Sequence, residues 1–109
     1  YRFYKKKLIE TSRFKLIDFD LKNGELPLWT DVYCSRRNQL FNFLRRKKIN
    51  CRYFWHPLNT CKPFKQSFRG LDNSKLLRGK LMWLPSSQEL KKKDLLKICD
   101  SINNFNLTR

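Results

Sequence analysis

Residues 52–59, Arg-Tyr-Phe-Trp-His-Pro-Leu-Asn, gather the side chains of this chain best suited to holding a ligand. A guanidinium such as that of Arg52 can grip a carboxylate or phosphate through two parallel hydrogen bonds. Its alternative is a surface ion pair of little consequence. Tyr53 and Trp55 offer flat faces for stacking. His56, the one histidine in the sequence, can donate or accept a proton, whereas the amide of Asn59 can only hydrogen-bond. The pattern from Ile49 to Trp55 predicts a strand, because aromatic and β-branched residues dominate it. Alternation along that strand turns Phe54 into the core and puts Tyr53 and Trp55 on the opposite side. Pro57 stops the strand and pushes His56 into extended backbone at its mouth. Such a strand end can wall a ligand cleft. Equally, Phe54 and Trp55 can close the edge of a core that His56 merely tops.

Other chemistries find little support. Cys34, Cys51, Cys61 and Cys99 form no C-x-x-C pair, so a zinc site would need a non-standard spacing, and no metal-binding residue is assigned. With one histidine and no suitably spaced nucleophile, a hydrolase triad is unsupported. Three glycines make no phosphate-cradling loop. The composition reads as reduced thiols in a cytoplasmic protein, with no secretory signal and no membrane span.

The elements that must position the 52–59 stretch form a single domain over residues 1–109, a length that suits one modest core. Residues 1–10 open with Tyr1, Tyr4 and Leu8 at helical spacing. Phe14 to Leu21 alternates as a strand, with Ile17, Phe19 and Leu21 opposite Asp18 and Asp20. Asn23-Gly24 then predicts a tight hairpin turn into a second strand over residues 26–33, with Pro27 at its entry. Ser35 caps a helix running to about Lys48, with Leu40, Phe41 and Leu44 buried and Arg36, Arg45 and Arg46 wet. After the 49–55 strand comes a loop to Phe68. A short helix over residues 72–78 follows, with Leu76 and Leu77 inward. Leu81 to Leu84 is a buried strand ended by Pro85, with Trp83 in the core. The last helix, about 92–104, carries Leu95, Ile98, Ile102 and Phe105 along one side. The sum is an α+β fold, a small, largely antiparallel sheet with helices packed against it.

Four pieces occur in a telling order. Arg37-Asn-Gln-Leu-Phe-Asn-Phe-Leu-Arg-Arg-Lys-Lys-Ile49 leads into Arg52-Tyr-Phe-Trp-His-Pro-Leu58, followed by Leu81-Met-Trp-Leu-Pro-Ser-Ser87 and Asp94-Leu-Leu-Lys-Ile-Cys-Asp-Ser-Ile102. From about Leu26 to Phe105 this resembles the C-terminal small domain of the DegT/StrS-type sugar aminotransferases. The pattern there is R-D-x-L-x-x-x-L-K-x-x-G-I-x-T-R-x-F-x-x-P-L-H, then L-x-L-P-S, then a closing helix.

The resemblance implies the small domain of a fold-type-I enzyme that uses pyridoxal phosphate to aminate nucleotide-linked keto sugars. It also implies a homodimer in the complete enzyme. The catalytic large domain, with its cofactor-linking lysine, is absent from this stretch. No catalytic or cofactor-binding residue is therefore assigned here, and the chain is expected to be inactive alone. Pyridoxal phosphate is expected only in the complete enzyme. Arg52, Tyr53, Trp55, His56 and Asn59 become a substrate-facing rim on the cleft wall. Two departures stand out: Asn59 occupies the position of the motif histidine, and Lys48 occupies that of a helix-ending glycine.

A net charge of +16, from 25 Lys and Arg against 9 Asp and Glu, is open to a reading of another class. A basic nucleic-acid-binding module would use Tyr53 and Trp55 as a stacking platform. The basic residues are scattered in short runs, which argues against nucleic acid as the partner and for a solvated surface. The first residue is Tyr1 rather than Met, so the chain reads as an excerpt of something longer, a split-gene product or an inactive remnant.

Overall fold

The computed structural model describes residues 1–108. The helices are α1 (Arg2–Lys7), α2 (Arg37–Arg46), α3 (Asp72–Leu77) and α4 (Lys92–Leu107). The strands are β1 (Phe14–Leu16), β2 (Thr30–Cys34), β3 (Arg52–Tyr53) and β4 (Leu81–Leu84). They form one antiparallel sheet in the order β1-β2-β4-β3. The α+β reading holds.

Burial is one-sided, and strand parity sets the side. Phe14 and Leu16, Val32 and Cys34, and Met82 and Leu84 point to one face. There they meet Tyr4 of α1, Leu40 and Leu44 of α2, and Ile98, Cys99 and Ile102 of α4. Tyr4 is locked in place by its hydroxyl, which donates to the Pro85 carbonyl at 2.6 Å, and burial pushes its phenol pKa up. The next residues along each strand, Asp31, Arg52 and Trp83, share one row of the opposite face. Among the described residues α1, α2 and α4 pack on the core face, and only α3 adjoins the opposite face, at its edge beside the 54–57 turn. Trp29, from the loop before β2, lies over that opposite face.

Several boundaries differ from the expectation. The 49–55 strand shrinks to Arg52–Tyr53 because its partner is short. β4 has four residues, bounded by the left-handed turn at Gly79 and by Pro85, so pairing ends with Phe54 N–H donating to the Leu81 carbonyl at 3.3 Å. The 14–21 strand stops at Leu16 and the second begins only at Thr30. Asn23-Gly24 does turn, with Gly24 at φ 89°, but within a 3-10 segment (Leu21–Asn23) rather than a two-residue hairpin. Asp20 organises that turn, accepting from the Asn23 backbone at 3.2 Å and its side chain at 2.6 Å. Such a side chain offers the backbone an alternative to the sheet ladder.

The helices also shift. α2 starts at Arg37 with no side-chain cap, so Ser35 does not cap it. Arg36 is half-buried rather than wet, its guanidinium 4.6 Å from the Phe105 ring centroid. Lys48 adopts the left-handed conformation itself, at φ 59°, and the Lys48 and Ile49 amides close onto the Arg45 and Leu44 carbonyls. The glycine geometry is kept without the glycine. In α3, Leu76 is 62% exposed, so the inward assignment fails for it while Leu77 is half-buried. α4 runs to Leu107, and Asp94 accepts from the Lys91 backbone at its opening.

Candidate functional site: a basic cleft beside an aromatic sheet face

The 52–59 stretch divides among three environments. Tyr53 faces the helices: its ring lies 4.2 Å from that of Phe41, and the Arg37 guanidinium sits 4.1 Å from its centroid on α2. Phe54 is half-buried on the other face, edge-on to Trp83 at 5.8 Å. The expected alternation fails: Tyr53 and Phe54 take each other's expected sides, and Trp55 turns to the same face as Phe54. Cys51 and Tyr53 follow the core parity, and Phe54 does not anchor the core. Arg52 is exposed on the open face, opposite Trp83 across the β3–β4 pair. Asn59 is buried. Its amide donates to the Gln66 and Ser67 carbonyls at 3.3 and 3.4 Å, and its own carbonyl accepts from the Gln66 amide at 2.8 Å. It staples the 56–68 loop and does not stand on the rim.

Trp55 and His56 do come together, in a cleft of about 210 Å³ between the 54–57 turn and α3. Arg37 and Arg78 line the same cleft. Trp55, 66% exposed, also meets Trp83 edge-on at 5.2 Å, so the cleft is continuous with the open sheet face. Trp83 is buried, yet on this face rather than within the main core. Beside it lies Asp31, its cross-strand neighbour. Burial raises the Asp31 pKa, partly offset by the Trp83 indole N–H, which favours the carboxylate. Neither Asp31 Oδ1 nor Trp83 Nε1 closes a hydrogen bond of ordinary geometry.

Arg37 and Arg78 were the residues sequence reasoning missed. In the sequence Arg37 only opens the α2 motif, with no role assigned to it, and Arg78 ends a short helix. Only the turn at Gly79, φ 73°, carries Arg78 to the cleft that Arg37 edges. A glycine directly after a basic residue at a helix end was the available signal.

A second depression, between α2 and the end of α4, is basic and aromatic, lined by Arg36, Arg46, Phe43 and Phe105 among others. Each ring already carries a cation of this chain on one face, Arg36 on Phe105 and Lys47 on Phe43 at 5.2 Å. Tyr53 is likewise flanked by Phe41 and Arg37. These rings do not form the open stacking platform of a single-strand binder. Among the described residues no three His, Cys, Asp or Glu side chains cluster as metal ligands would.

A sequence model of the DegT/DnrJ/EryC1/StrS aminotransferase family matches residues 1–103. The chain belongs to that family. The fold also superposes on the crystal structure of the aminotransferase TlmJ from Streptoalloteichus hindustanus, with a TM-score of 0.73 and 14% identity over 98% of this chain. This family member spans 29% of the TlmJ chain. A search of curated sequences gave no match.

Aminotransferases of this family generally use pyridoxal phosphate. The residues here do not fit a covalent hold on that group. Neither a lysine nor a carboxylate lines the 54–57 cleft, and every lysine among the described residues except Lys80 is exposed. A lysine that reacts as a free amine at neutral pH needs desolvation or a cationic neighbour to lower its pKa.

Proposed function

We propose that this chain is the small domain of a pyridoxal-phosphate-dependent aminotransferase acting on nucleotide-linked keto sugars. A separate catalytic large domain completes it, and the complete enzyme is a cytoplasmic homodimer. No helix among the described residues is long and apolar enough to cross a membrane. The observation that carries the reading is the one-sided sheet. Helices bury one face, while on the other Trp29 and Trp55 remain exposed over buried Trp83 and half-buried Phe54, beside the half-buried Asp31 carboxylate. A contiguous aromatic surface of this kind marks an interaction site. In this reading the large domain covers the tryptophans, and Arg52, Trp55 and His56 edge the substrate path. Asn59 acts behind them by holding the loop.

The test is reconstitution. Co-expression with the large domain of a DegT-type aminotransferase should yield a complex that Trp55→Ala and Trp29→Ala weaken. The chain alone, mixed with pyridoxal phosphate and treated with borohydride, should show no labelling of a single lysine. Stoichiometric labelling of one lysine in the isolated chain would overturn the division of labour. Failure of the tryptophan variants to affect the complex would overturn the docking face.

A further inference from the structure

We propose that the groove between α2 and the C-terminal end of α4 is a docking site for a short acidic segment of a partner protein, one rich in Asp and Glu. Both helices pack on the core face of the sheet, so the groove lies on the helix side, away from the stacked tryptophans. The proposal therefore does not rest on the large domain and leaves the tryptophan face free for it.

The sequence sets the charge. Residues 36–48 hold six arginines and lysines and no acid. Arg36, Gln39, Phe43 and Arg46 recur every three or four residues, which puts them on one side of α2. Together with Asn42, and with Phe105 of α4, they line a depression of about 600 Å³ that no Asp or Glu enters. Among the described residues neither Arg36, Arg46 nor Lys47 forms an ion pair. The field of the groove is thus left for an anion from outside the chain.

Packing restrains two of the cations. The Arg36 guanidinium sits 4.6 Å from the Phe105 ring centroid and donates from Nη2 to the Phe105 carbonyl at 3.5 Å. The Phe105 ring lies 5.4 Å from that of Phe43, and Lys47 Nζ lies 5.2 Å from the Phe43 centroid. A cation, two rings and a second cation therefore follow one another across the seam between the helices. Contacts of this kind hold both charged heads against ring faces, so less side-chain freedom is lost when a carboxylate pairs with them. Arg36 has further N–H groups beyond the one given to Phe105. These can take a carboxylate through charge-assisted hydrogen bonds.

The other lining residues favour a peptide over a nucleic acid. Gln39 and Asn42 are exposed, and neither side chain is hydrogen-bonded among the described residues. Each amide offers both a donor and an acceptor, as a peptide unit requires, whereas a phosphodiester backbone presents acceptors only. Both rings already carry a cation, so bases find no open stacking platform. From Arg36 to Arg46 the stripe runs about 15 Å along the helix. That is the length of four or five extended residues at about 3.3 Å each. Recognition of acidic motifs by arginine clusters works in this way.

Titration of the full chain at low salt with a capped peptide of alternating Glu and Ser, followed by NMR, tests this. Saturable one-to-one binding is expected, with shifts concentrated on the Phe43 and Phe105 rings and the Gln39 and Asn42 side-chain amides. Arg46→Glu, at an exposed site, should weaken the peptide at least tenfold. Lys93→Glu makes the same charge change near the opposite end of α4 and should have less than a third of that effect. Equal losses in the two variants would assign binding to the overall charge and overturn the groove. So would an unchanged affinity in Arg46→Glu, or no saturation in the millimolar range. An oligothymidylate of the same charge that bound more tightly than the peptide would overturn the assignment to protein. The double variant Gln39→Ala with Asn42→Ala keeps every charge and supplies a second check. It should weaken the peptide yet leave the oligothymidylate unchanged, and equal effects on the two would again count against a peptide site.

Discussion

Trp29 and Trp83 lie face to face, with ring centroids 4.4 Å apart and planes 21° from parallel, on the side of the sheet away from the helices. The stack makes Trp83 a structural residue outside the main core, because Trp29 covers it. Trp83→Ala should cost about 3–5 kcal/mol, as for other buried aromatics. Phe54→Ala, at a half-buried site, should cost less than half of that. Trp55→Ala, Arg52→Ala and His56→Ala should each stay within about 0.5 kcal/mol, as exposed substitutions usually do. Urea melts of the five variants check the order.

Lys48 should be a stabilising site. A left-handed residue with a side chain costs about 1–2 kcal/mol, while glycine costs about 0.5–1 kcal/mol in lost chain freedom. Lys48→Gly should therefore raise stability by roughly 0.5–1 kcal/mol. Lys48→Val, with a branched Cβ at φ 59°, should lower it. Thermal melts of both against the parent measure the signs.

Asp31 makes stability depend on pH in a stated direction. Burial places its folded pKa above the unfolded value, so the protonated form favours the folded state. That contribution is full below the ordinary carboxylate value of about 3.9 and disappears as pH rises through the raised folded value. Near neutral pH the ionised group opposes folding. Asp31→Asn should accordingly stabilise the protein at neutral pH, with the gain shrinking to nothing in acid. A gain that is the same at both pH values would show that charge is not its source.

The thiols should react in two classes. Burial pushes Cys51 up to about 12 and Cys99 to about 11, and raises Cys34 as well. The thiolate is the reactive species. Cys61, half-exposed in the 56–68 loop with its sulfur 3.7 Å from the Pro57 carbonyl, should be alkylated first at neutral pH. The other three should follow only with unfolding, as mass spectrometry of timed iodoacetamide reactions would show.

The elements with long or strict patterns were legible in the sequence, and the reasons are local. α4 repeats Ile98, Ile102 and Phe105 at helical steps, and β4 is fixed by four apolar residues ahead of Pro85. The resemblance to the aminotransferase family was legible too, since order and spacing survive where identity is low. Strand β3 was misread because its facing depends on pairing with β4. A two-residue strand carries no alternation of its own to read. Asn59 was misplaced for a similar reason. Its partners, the Gln66 and Ser67 carbonyls, are backbone groups and leave no trace in side-chain types. The cleft escaped notice because Arg37 and Arg78, which both line it, are far apart in sequence.

The split between the two faces of the sheet has a consequence for how faithfully the chain must fold. Val32 pairs with Met82, and Asp31 with Trp83. Because side chains alternate strictly, slipping β4 by one residue would exchange these sets, sending an indole toward the helices and a methionine to the outside. Under the proposed docking, such an error would present the large domain with the wrong surface. Misregistered molecules would retain helix content and compactness yet fail to assemble. If the large domain docks at the tryptophan face as proposed, assembly would thus act as a quality check on strand pairing, rejecting copies that circular dichroism would pass.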